Sequence, residues 1–156
     1  MAIRFTFFDV DGTLSVPIYK DNGKSVIGFS DNGWENYCNT HKEDSYEYCK
    51  PVLPVKRYAQ ELKEKGVRLF VLTTSGSPNE TAAKKKFVSQ HYEGLFEELI
   101  AVDADQKKLD AMQQIAEQYG ETLSSCELVE DTFRTLLYVN QHNVKPTHIS
   151  SLVCDL

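Results

Sequence analysis

The sequence predicts an α/β fold: a doubly wound, Rossmann-like parallel sheet of five strands with helices on both faces and a β-hairpin flap after strand one. Short apolar and β-branched runs alternate along the chain with helical patterns, and this alternation is typical of right-handed βαβ units. The length of 156 residues, of which 41% are hydrophobic and 26% charged, suits one globular domain. We therefore expect a single domain over residues 1 to 156.

The first elements are a strand, a hairpin and an insert. Residues 4 to 8 form an apolar run that ends abruptly in Asp-Val-Asp-Gly, which indicates a buried strand meeting a polar turn. Residues 15 to 29 are predicted to form the hairpin flap, because Asn22-Gly23 is a strong hairpin signal. Residues 30 to 50 lose their aliphatic residues and are predicted to form a loop or small polar insert. The Trp and Tyr residues of this insert are interpreted as packing residues rather than as a substrate platform.

The remaining chain is predicted to alternate helices and strands. A helix follows Pro54 and ends before Gly66, which is the usual placement of these two residues at helix ends. Ser77-Pro78-Asn79-Glu80 has the form of a capping box and begins another helix. The other expected elements are a strand at 67–72, a strand near 99–102, a helix near 105–119, a strand near 126–129, a helix near 131–141 and a strand near 148–153.

Composition restricts the class of partner. The formal net charge is -6, the pI is about 5.2, and the longest basic run is Lys84-Lys85-Lys86. A nucleic-acid partner is therefore not expected, and the lysine triplet is interpreted as a solvated helix face. The sequence shows neither the apolar core of a signal peptide nor a stretch long enough to span a membrane. We expect a cytoplasmic protein without membrane contact.

Cysteine and histidine residues match no known motif. The four cysteines, without any C-x-x-C pair, are Cys38, Cys49, Cys126 and Cys154, and we expect reduced thiols, with the last two buried in apolar runs. Cys38, His41 and Cys49 supply three ligand types for zinc, but their spacing fits no common zinc site and no fourth partner is evident. No role is assigned to the four histidines: His41, His91, His142 and His148.

Acidic and hydroxyl side chains gather where the predicted strands end, which is where open α/β sheets bind ligands. These residues are Asp9, Asp11, Gly12 and Thr13 after strand one, Thr73 and Thr74 after strand two, and Glu130 and Asp131 after strand four. Carboxylates so close together would repel one another without a hard cation, so Mg²⁺ is implied. Two carboxylates at i and i+2 suit a nucleophile and a proton carrier that face one phosphoryl group.

One lysine at the start of the helix after strand three is expected to reach this edge. Lys108 shares a helical face with Met112, Ile115 and Tyr119, whereas Lys107 is in line with more polar positions. Lys108 is therefore the favoured site residue, and Lys107 is expected to be solvated.

These residues together resemble a known family. Phe-Phe-Asp-Val-Asp-Gly-Thr, at residues 7–13, resembles the first signature of the haloacid dehalogenase superfamily, whose phosphatase members carry Asp-x-Asp-Gly-Thr. The three later motifs match in order: Thr73 at a strand end, Lys107 or Lys108, and the acidic pair Glu130-Asp131. The resemblance spans residues 4 to 154 and points to a small or capless member of the phosphatase branch.

What the resemblance implies is a magnesium-dependent phosphomonoester hydrolase that forms an aspartyl phosphate on Asp9, with Asp11 as acid and base. The implied catalytic residues are Asp9, Asp11, Thr73 and Lys108. The implied phosphate-binding residues are Gly12, Thr13, Thr73, Thr74 and Lys108. The implied metal ligands are Asp9, Asp11 through its backbone carbonyl, Asp131 and Glu130, the last directly or through water. The implied substrate is a small phosphorylated metabolite or nucleotide.

Several alternatives stay open. Asp9 to Gly12 also suits an Asx-type turn, and Glu130 with Asp131 also suits a helix cap. An EF-hand calcium loop is disfavoured by Thr13, Leu14 and Lys20, which stand where that loop needs a carboxylate or amide, a glycine and a glutamate. The alternative functions are a non-catalytic metal-binding regulatory domain of the same fold and a phosphotransferase or phosphomutase. Homo-oligomerisation is also left open.

Overall fold

The computed structural model describes residues 2 to 153. The strands are β1 (Phe5–Phe8), β2 (Ser15–Val16), β3 (Tyr19–Asp21), β4 (Lys24–Val26), β5 (Lys50–Pro51), β6 (Arg68–Thr74), β7 (Leu99–Val102), β8 (Cys126–Glu130) and β9 (Lys145–His148). The helices are α1 (Asp31–His41), α2 (Leu53–Glu64), α3 (Pro78–His91), α4 (Lys107–Gln118) and α5 (Phe133–Asn140). Short 3₁₀ turns lie at Lys42–Asp44, Leu123–Ser125 and Ile149–Leu152.

Five strands form one parallel sheet in the order β7-β6-β1-β8-β9. The predicted α/β fold class is confirmed. Strand β1 is central, and its last residue, Phe8, pairs with Val71 of β6 and Val129 of β8. The residues that follow β1, β6 and β8 therefore lie beside one another at one edge of the sheet.

Two hydrophobic clusters cover the two faces of the sheet. Side chains alternate along a strand, so Phe8 packs with Val55 of α2 and Phe87 of α3, whereas Phe7 packs with Met112 of α4 on the opposite face. All of these side chains are buried, and each contributes on the order of 1.5–3 kcal/mol by leaving water. This packing fixes β1 and the residues just beyond it.

The predicted hairpin is present but shorter than expected. Strands β3 and β4 pair antiparallel around Asn22 and Gly23, which both have positive φ, at 50° and 75°, as a two-residue hairpin loop requires. Strand β2 does not belong to the hairpin: it pairs with β5, and this pairing closes the segment between them.

Residues 30 to 50, predicted to form a loop or small polar insert, contain helix α1. Ser30 caps it by accepting a hydrogen bond from the Gly33 N–H at 3.1 Å. The helix buries Tyr37 and Cys38, and this packing outweighs the weak helix propensity of its Asn, Gly and Thr residues. Of the two predicted forms, a loop is therefore excluded for residues 31–41.

The final strand also lies earlier than predicted. Strand β9 spans Lys145–His148, so of the predicted range 148–153 only His148 is in the strand, and Ile149–Leu152 form a 3₁₀ turn. The strand runs along the sheet edge, where Pro146 is tolerated. Cys38, Cys49 and Cys126 are buried free thiols, and Cys154 lies outside the described residues. None of the helices in residues 2–153 is long and apolar enough to span a bilayer.

Candidate active site

The ends of β1 and β8 bring three carboxylates together. Asp9 follows β1 directly, Glu130 ends β8 and Asp131 comes next. Each of the three offers an oxygen atom within 4.8 Å of the others, which makes them the candidate metal-ligand group within residues 2–153. Asp9 and Glu130 are buried, and Asp131 is partly exposed.

Lys108 lies against this group. Its Nζ is 3.2 Å from Asp9 Oδ1 and 2.9 Å from Glu130 Oε2, and its side chain is 2% exposed. Lys107 instead extends into solvent and pairs with Asp103 at 2.7 Å. The geometry therefore places Lys108, rather than Lys107, beside the carboxylates, as the helical spacing predicts.

The buried charges shift one another's pKa values. Burial and repulsion from Asp9, opposed by the charge of Lys108, together raise the pKa of Glu130 to about 9. Burial likewise raises the pKa of Asp9, against the opposing effect of Lys108. Burial lowers the pKa of Lys108, but the two carboxylates outweigh it and raise the value to about 12. One ammonium group thus leaves the two carboxylates incompletely neutralised, and a divalent cation would supply the missing charge.

Gly12 makes room for the carboxylate of Asp131. A Cβ atom at Gly12 would lie 2.2 Å from Asp131 Oδ2, and the backbone there has a φ of +74°, which side chains rarely adopt. The turn after β1 therefore comes so close to Asp131 that no residue with a Cβ atom would fit at position 12. The resulting donor set consists of carboxylate oxygens, which is the ligand type that Mg²⁺ prefers.

The side chain of Asp11 belongs to a second cluster. Its Oδ1 accepts a hydrogen bond from the Tyr46 hydroxyl at 2.5 Å, and its Oδ2 lies 3.2 Å from Lys84 Nζ. Burial and the charge of Asp11 raise the pKa of Tyr46 well above its usual value, so Tyr46 keeps its proton as a donor. Neither Tyr46 nor Lys84 was expected at the site.

Lys84 is fully buried, so its interpretation as part of a solvated helix face was wrong. Its Nζ donates to Thr73 Oγ1 at 2.9 Å, to the Thr74 carbonyl at 2.7 Å and to Glu80 Oε2 at 2.6 Å. Burial lowers the pKa of Lys84, but Asp11 and Glu80 outweigh it and raise the value. The lysine ties the end of β6 to the proposed proton carrier.

The helical phase of α3 explains this position. Lys84 is one turn from Glu80 and three residues before Phe87, and all three are buried on the inward face. Lys85 is exposed, and Lys86 pairs with Asp44 at the surface. Glu80, Lys84 and Phe87 are spaced so that they share one helical face, and this spacing is the sequence signal that could have identified Lys84 as buried.

The hydroxyl residues take different positions. Thr73 is buried and its Oγ1 accepts from Lys84, while Thr74 Oγ1 donates to Asp105 at 2.5 Å. Thr13 Oγ1 is buried and has no hydrogen-bond partner within residues 2–153. Thr73 therefore lies within the Lys84 cluster, whereas Thr74 faces the loop before α4.

His148, which was assigned no role from its sequence context, supports Asp131. Its Nε2–H donates to the Asp131 carbonyl at 2.9 Å, and its Nδ1 accepts from the Ser150 N–H at 3.1 Å. The ring stacks on Phe133 with centroids 4.1 Å apart. Its position at the end of β9, next to β8, follows from the sheet order, which the sequence pattern did not reveal.

A cavity of about 560 Å³ opens beside Asp11, and we call it the aromatic cavity. Its aromatic lining comes from Tyr19, Phe29 and Trp34. The Trp34 indole N–H donates to Glu80 Oε1 at 2.7 Å, so the tryptophan is tied to the same glutamate that pairs with Lys84. The hairpin and the insert thus form a wall next to the site.

Comparison with known proteins gives matches among solved structures alone, since no family model and no curated protein matches the chain. A 3-deoxy-D-manno-octulosonate 8-phosphate phosphatase from Moraxella catarrhalis, solved with magnesium, phosphate and the KDO molecule, is 22% identical over 87% of this chain, with a TM-score of 0.53. A D,D-heptose 1,7-bisphosphate phosphatase from Burkholderia thailandensis is 13% identical over 92% of this chain and 76% of its own, with a TM-score of 0.54. A hypothetical protein from Xanthomonas campestris is 18% identical over 94% of this chain, with a TM-score of 0.57.

The chain spans 62% of the Moraxella enzyme and 63% of the Xanthomonas protein. At these identities the likeness concerns the fold. The predicted fold is confirmed: the chain shares the fold of these solved phosphatases.

Proposed function

We propose that the protein is a magnesium-dependent phosphomonoester hydrolase that acts through an aspartyl phosphate on Asp9. The observation that supports this most strongly is the contact of Lys108 with both Asp9 and Glu130, at 3.2 Å and 2.9 Å. It joins a nucleophile, a fixed positive charge and metal-ligand oxygens in one buried group. Electrostatic stabilisation by such pre-positioned groups is a major part of phosphoryl-transfer catalysis.

The metal would be held by the side chains of Asp9, Glu130 and Asp131 together with the backbone carbonyl of Asp11. Bound there, Mg²⁺ would neutralise the carboxylates and polarise a phosphoryl oxygen. The close approach at Gly12 and the all-oxygen donor set fit this ion. The presence of magnesium and phosphate in the Moraxella phosphatase of the same fold is consistent with this assignment.

The proposed reaction has two steps. A carboxylate oxygen of Asp9 forms a bond to phosphorus while the ester P–O bond breaks, and Asp11 gives its proton to the departing alcohol oxygen. Water then attacks the aspartyl phosphate, Asp11 takes up a proton, and inorganic phosphate leaves with the Asp9 carboxylate restored. Lys108 balances the negative charge throughout.

Thr73 is the favoured hydroxyl for the phosphoryl group. Its Oγ1 accepts from Lys84 and donates to the Thr74 carbonyl over a long 3.5 Å, so its hydroxyl hydrogen can turn to a phosphoryl oxygen at little cost. Thr74 already donates to Asp105, which supports a positional rather than a phosphate-binding role. Gly12 and Thr13 stay in the proposal as the turn along which the phosphoryl group approaches.

A non-catalytic metal-binding domain of this fold is the main alternative. Such a domain needs the three carboxylates but has no use for the side chain of Asp11, which Lys84 and Tyr46 hold beside the aromatic cavity. The presence of both Lys108 and an Asp11 side chain held by Lys84 and Tyr46 therefore favours an enzyme. We propose a small phosphorylated metabolite or nucleotide as its substrate.

Hydrolysis of p-nitrophenyl phosphate with and without Mg²⁺ tests the proposal. We expect magnesium-dependent turnover that Asp9→Asn lowers by at least about a thousandfold. Asp103→Asn, at an exposed carboxylate, is the matched control and should retain activity. Turnover that survives Asp9→Asn would contradict the proposal.

A further inference from the structure

The aromatic cavity lies where the leaving group of the reaction would sit, an inference that rests on the proposed function. Asp11 lines the cavity, and a general acid must come within hydrogen-bond reach of the oxygen that it protonates. The ester oxygen would therefore lie at the cavity mouth, and the alcohol beyond it would extend into the cavity. The chemistry of the lining then selects the alcohol.

Three aromatic rings form one side of the cavity. Tyr19, Phe29 and Trp34 contact one another edge to face, with ring centroids 5.2 to 5.4 Å apart. Each ring is partly exposed, so part of its surface is open to a ligand. Aromatic faces carry partial negative charge and attract cations.

The polar side of the cavity is acidic. Four carboxylates line it, those of Asp11, Asp31, Glu35 and Glu80, and within residues 2–153 no lysine or arginine does so. Lys84 forms ion pairs with Asp11 and Glu80. Its one positive charge does not balance the four carboxylates that line the cavity. The cavity therefore has a net negative potential.

Two helix N-termini border the cavity, and both are already capped. Ser30 accepts from the Gly33 N–H at the start of α1, and Ser77 accepts from the Glu80 N–H at the start of α3. Asp31 and Glu80 place negative charge in these first turns. Neither end offers the uncompensated positive charge that a second phosphate or carboxylate needs.

We propose that the substrate is a phosphate monoester of a cationic alcohol, an amino alcohol or a quaternary ammonium alcohol. The phosphate occupies the Asp9 and Lys108 end, and the cation lies against Trp34 with Asp31 and Glu35 at the rim. Recognition of ammonium groups by aromatic rings and nearby carboxylates is an established chemistry. Trp34 of the insert, with Tyr19 and Phe29 of the hairpin segment, thus serves the ligand as well as the packing of these segments.

A matched pair of substrates tests the charge requirement. Phosphocholine and 3,3-dimethylbutyl phosphate have nearly the same shape, but the first carries a positive charge where the second carries none. We expect kcat/KM to be about tenfold higher for phosphocholine, and Glu35→Gln should reduce this ratio. Glu64→Gln, at an exposed site on α2, is the control and should leave the ratio unchanged.

A binding measurement separates this inference from the proposed function. Trp34 is the one tryptophan in the sequence, so choline binding should change its fluorescence, whereas 3,3-dimethylbutan-1-ol should not. Asp9-dependent hydrolysis of p-nitrophenyl phosphate with equal kcat/KM for the matched pair would overturn the cationic substrate and leave the phosphatase standing. Choline-selective fluorescence without any hydrolysis would support the cavity and overturn the phosphatase.

Discussion

Lys84 Nζ lies 3.2 Å from Asp11 Oδ2. Asp9 has an equivalent partner in Lys108, also at 3.2 Å. The two carboxylates of the Asp-x-Asp pair are thus held by lysines from different helices, α3 and α4. This arrangement keeps the proposed nucleophile and the proposed proton carrier in separate clusters, each with its own positive charge.

Replacing Lys84 should impair the proton-carrier step selectively. In Lys84→Met, Glu80 is left buried without its ion pair, and the free energy of unfolding should fall by about 3–5 kcal/mol. The kcat for an alkyl phosphate should fall more than that for p-nitrophenyl phosphate, whose leaving group needs little protonation. Chemical denaturation and the two kcat values measure these effects. Lys85→Met is the exposed control, and an equal loss in the two variants would contradict the assignment.

Replacing Gly12 should weaken metal binding in addition to lowering the stability of the protein through backbone strain. Gly12→Ala places a Cβ 2.2 Å from Asp131 Oδ2 at a φ of +74°. Gly23→Ala is the matched control, because its φ is +75° and a Cβ there meets nothing within 4 Å. Both variants should lose about 1–2 kcal/mol of stability from the strained backbone. Magnesium titration should show weakened binding in Gly12→Ala alone, and equal affinities would refute the proposed metal position.

The stability of the metal-free protein should depend on the ionisation of Glu130. Burial, with repulsion from Asp9, raises its folded-state pKa from 4.5 to about 9. Between these values the folded state binds more protons than the unfolded chain, so this group's contribution to the free energy of unfolding declines as pH rises. Mg²⁺ needs ionised carboxylates, so the stabilisation that it provides should grow over the same interval.

Melting temperatures across this pH range, with EDTA and with Mg²⁺, measure both trends. Glu130→Gln removes the titrating group and should flatten the metal-free profile relative to the wild type. Identical pH profiles for the two proteins would show that Glu130 does not titrate in this window.

Loss of His148 should leave the backbone at Asp131 less firmly held and so weaken metal binding. The imidazole donates to the Asp131 carbonyl and stacks on Phe133, so His148→Ala removes a support of the proposed metal ligand. We expect magnesium affinity to fall about tenfold, as measured by calorimetric titration. His142→Ala, at an exposed position, should retain the wild-type affinity. Unchanged affinity in His148→Ala would exclude the supporting role.

The central part of the fold was predictable because its signals are local. Every residue of β1 and β8 is buried, and each strand is followed directly by a carboxylate, Asp9 after β1 and Asp131 after β8. Parallel pairing of β1 with β8 is then enough to bring Asp9 near Glu130. The helical phase that separates Lys108 from Lys107 is equally local.

The parts that were missed depend on tertiary contacts. The edge strand β9 is recognisable from its pairing with β8 rather than from its own sequence, so the position of His148 beside Asp131 was not foreseen. Lys84 is one of three consecutive lysines; its helical spacing from Glu80 and Phe87 places it on the inward face of α3, but its ion pair with Asp11 is a tertiary contact. The wall formed by Tyr19 and Trp34 joins the hairpin to the insert, and no local pattern links those segments.

Trapping the phosphorylated enzyme tests the central claim most directly. Asp11→Asn should still accept a phosphoryl group from p-nitrophenyl phosphate, because p-nitrophenolate leaves without a proton, but it should hydrolyse the aspartyl phosphate slowly. After acid quenching and digestion, mass spectrometry should find one added phosphoryl group on the peptide that contains Asp9, and none in the Asp9→Asn, Asp11→Asn double variant. A protein that hydrolyses the substrate with no phosphoryl group on Asp9, or with one on another residue, would contradict the account.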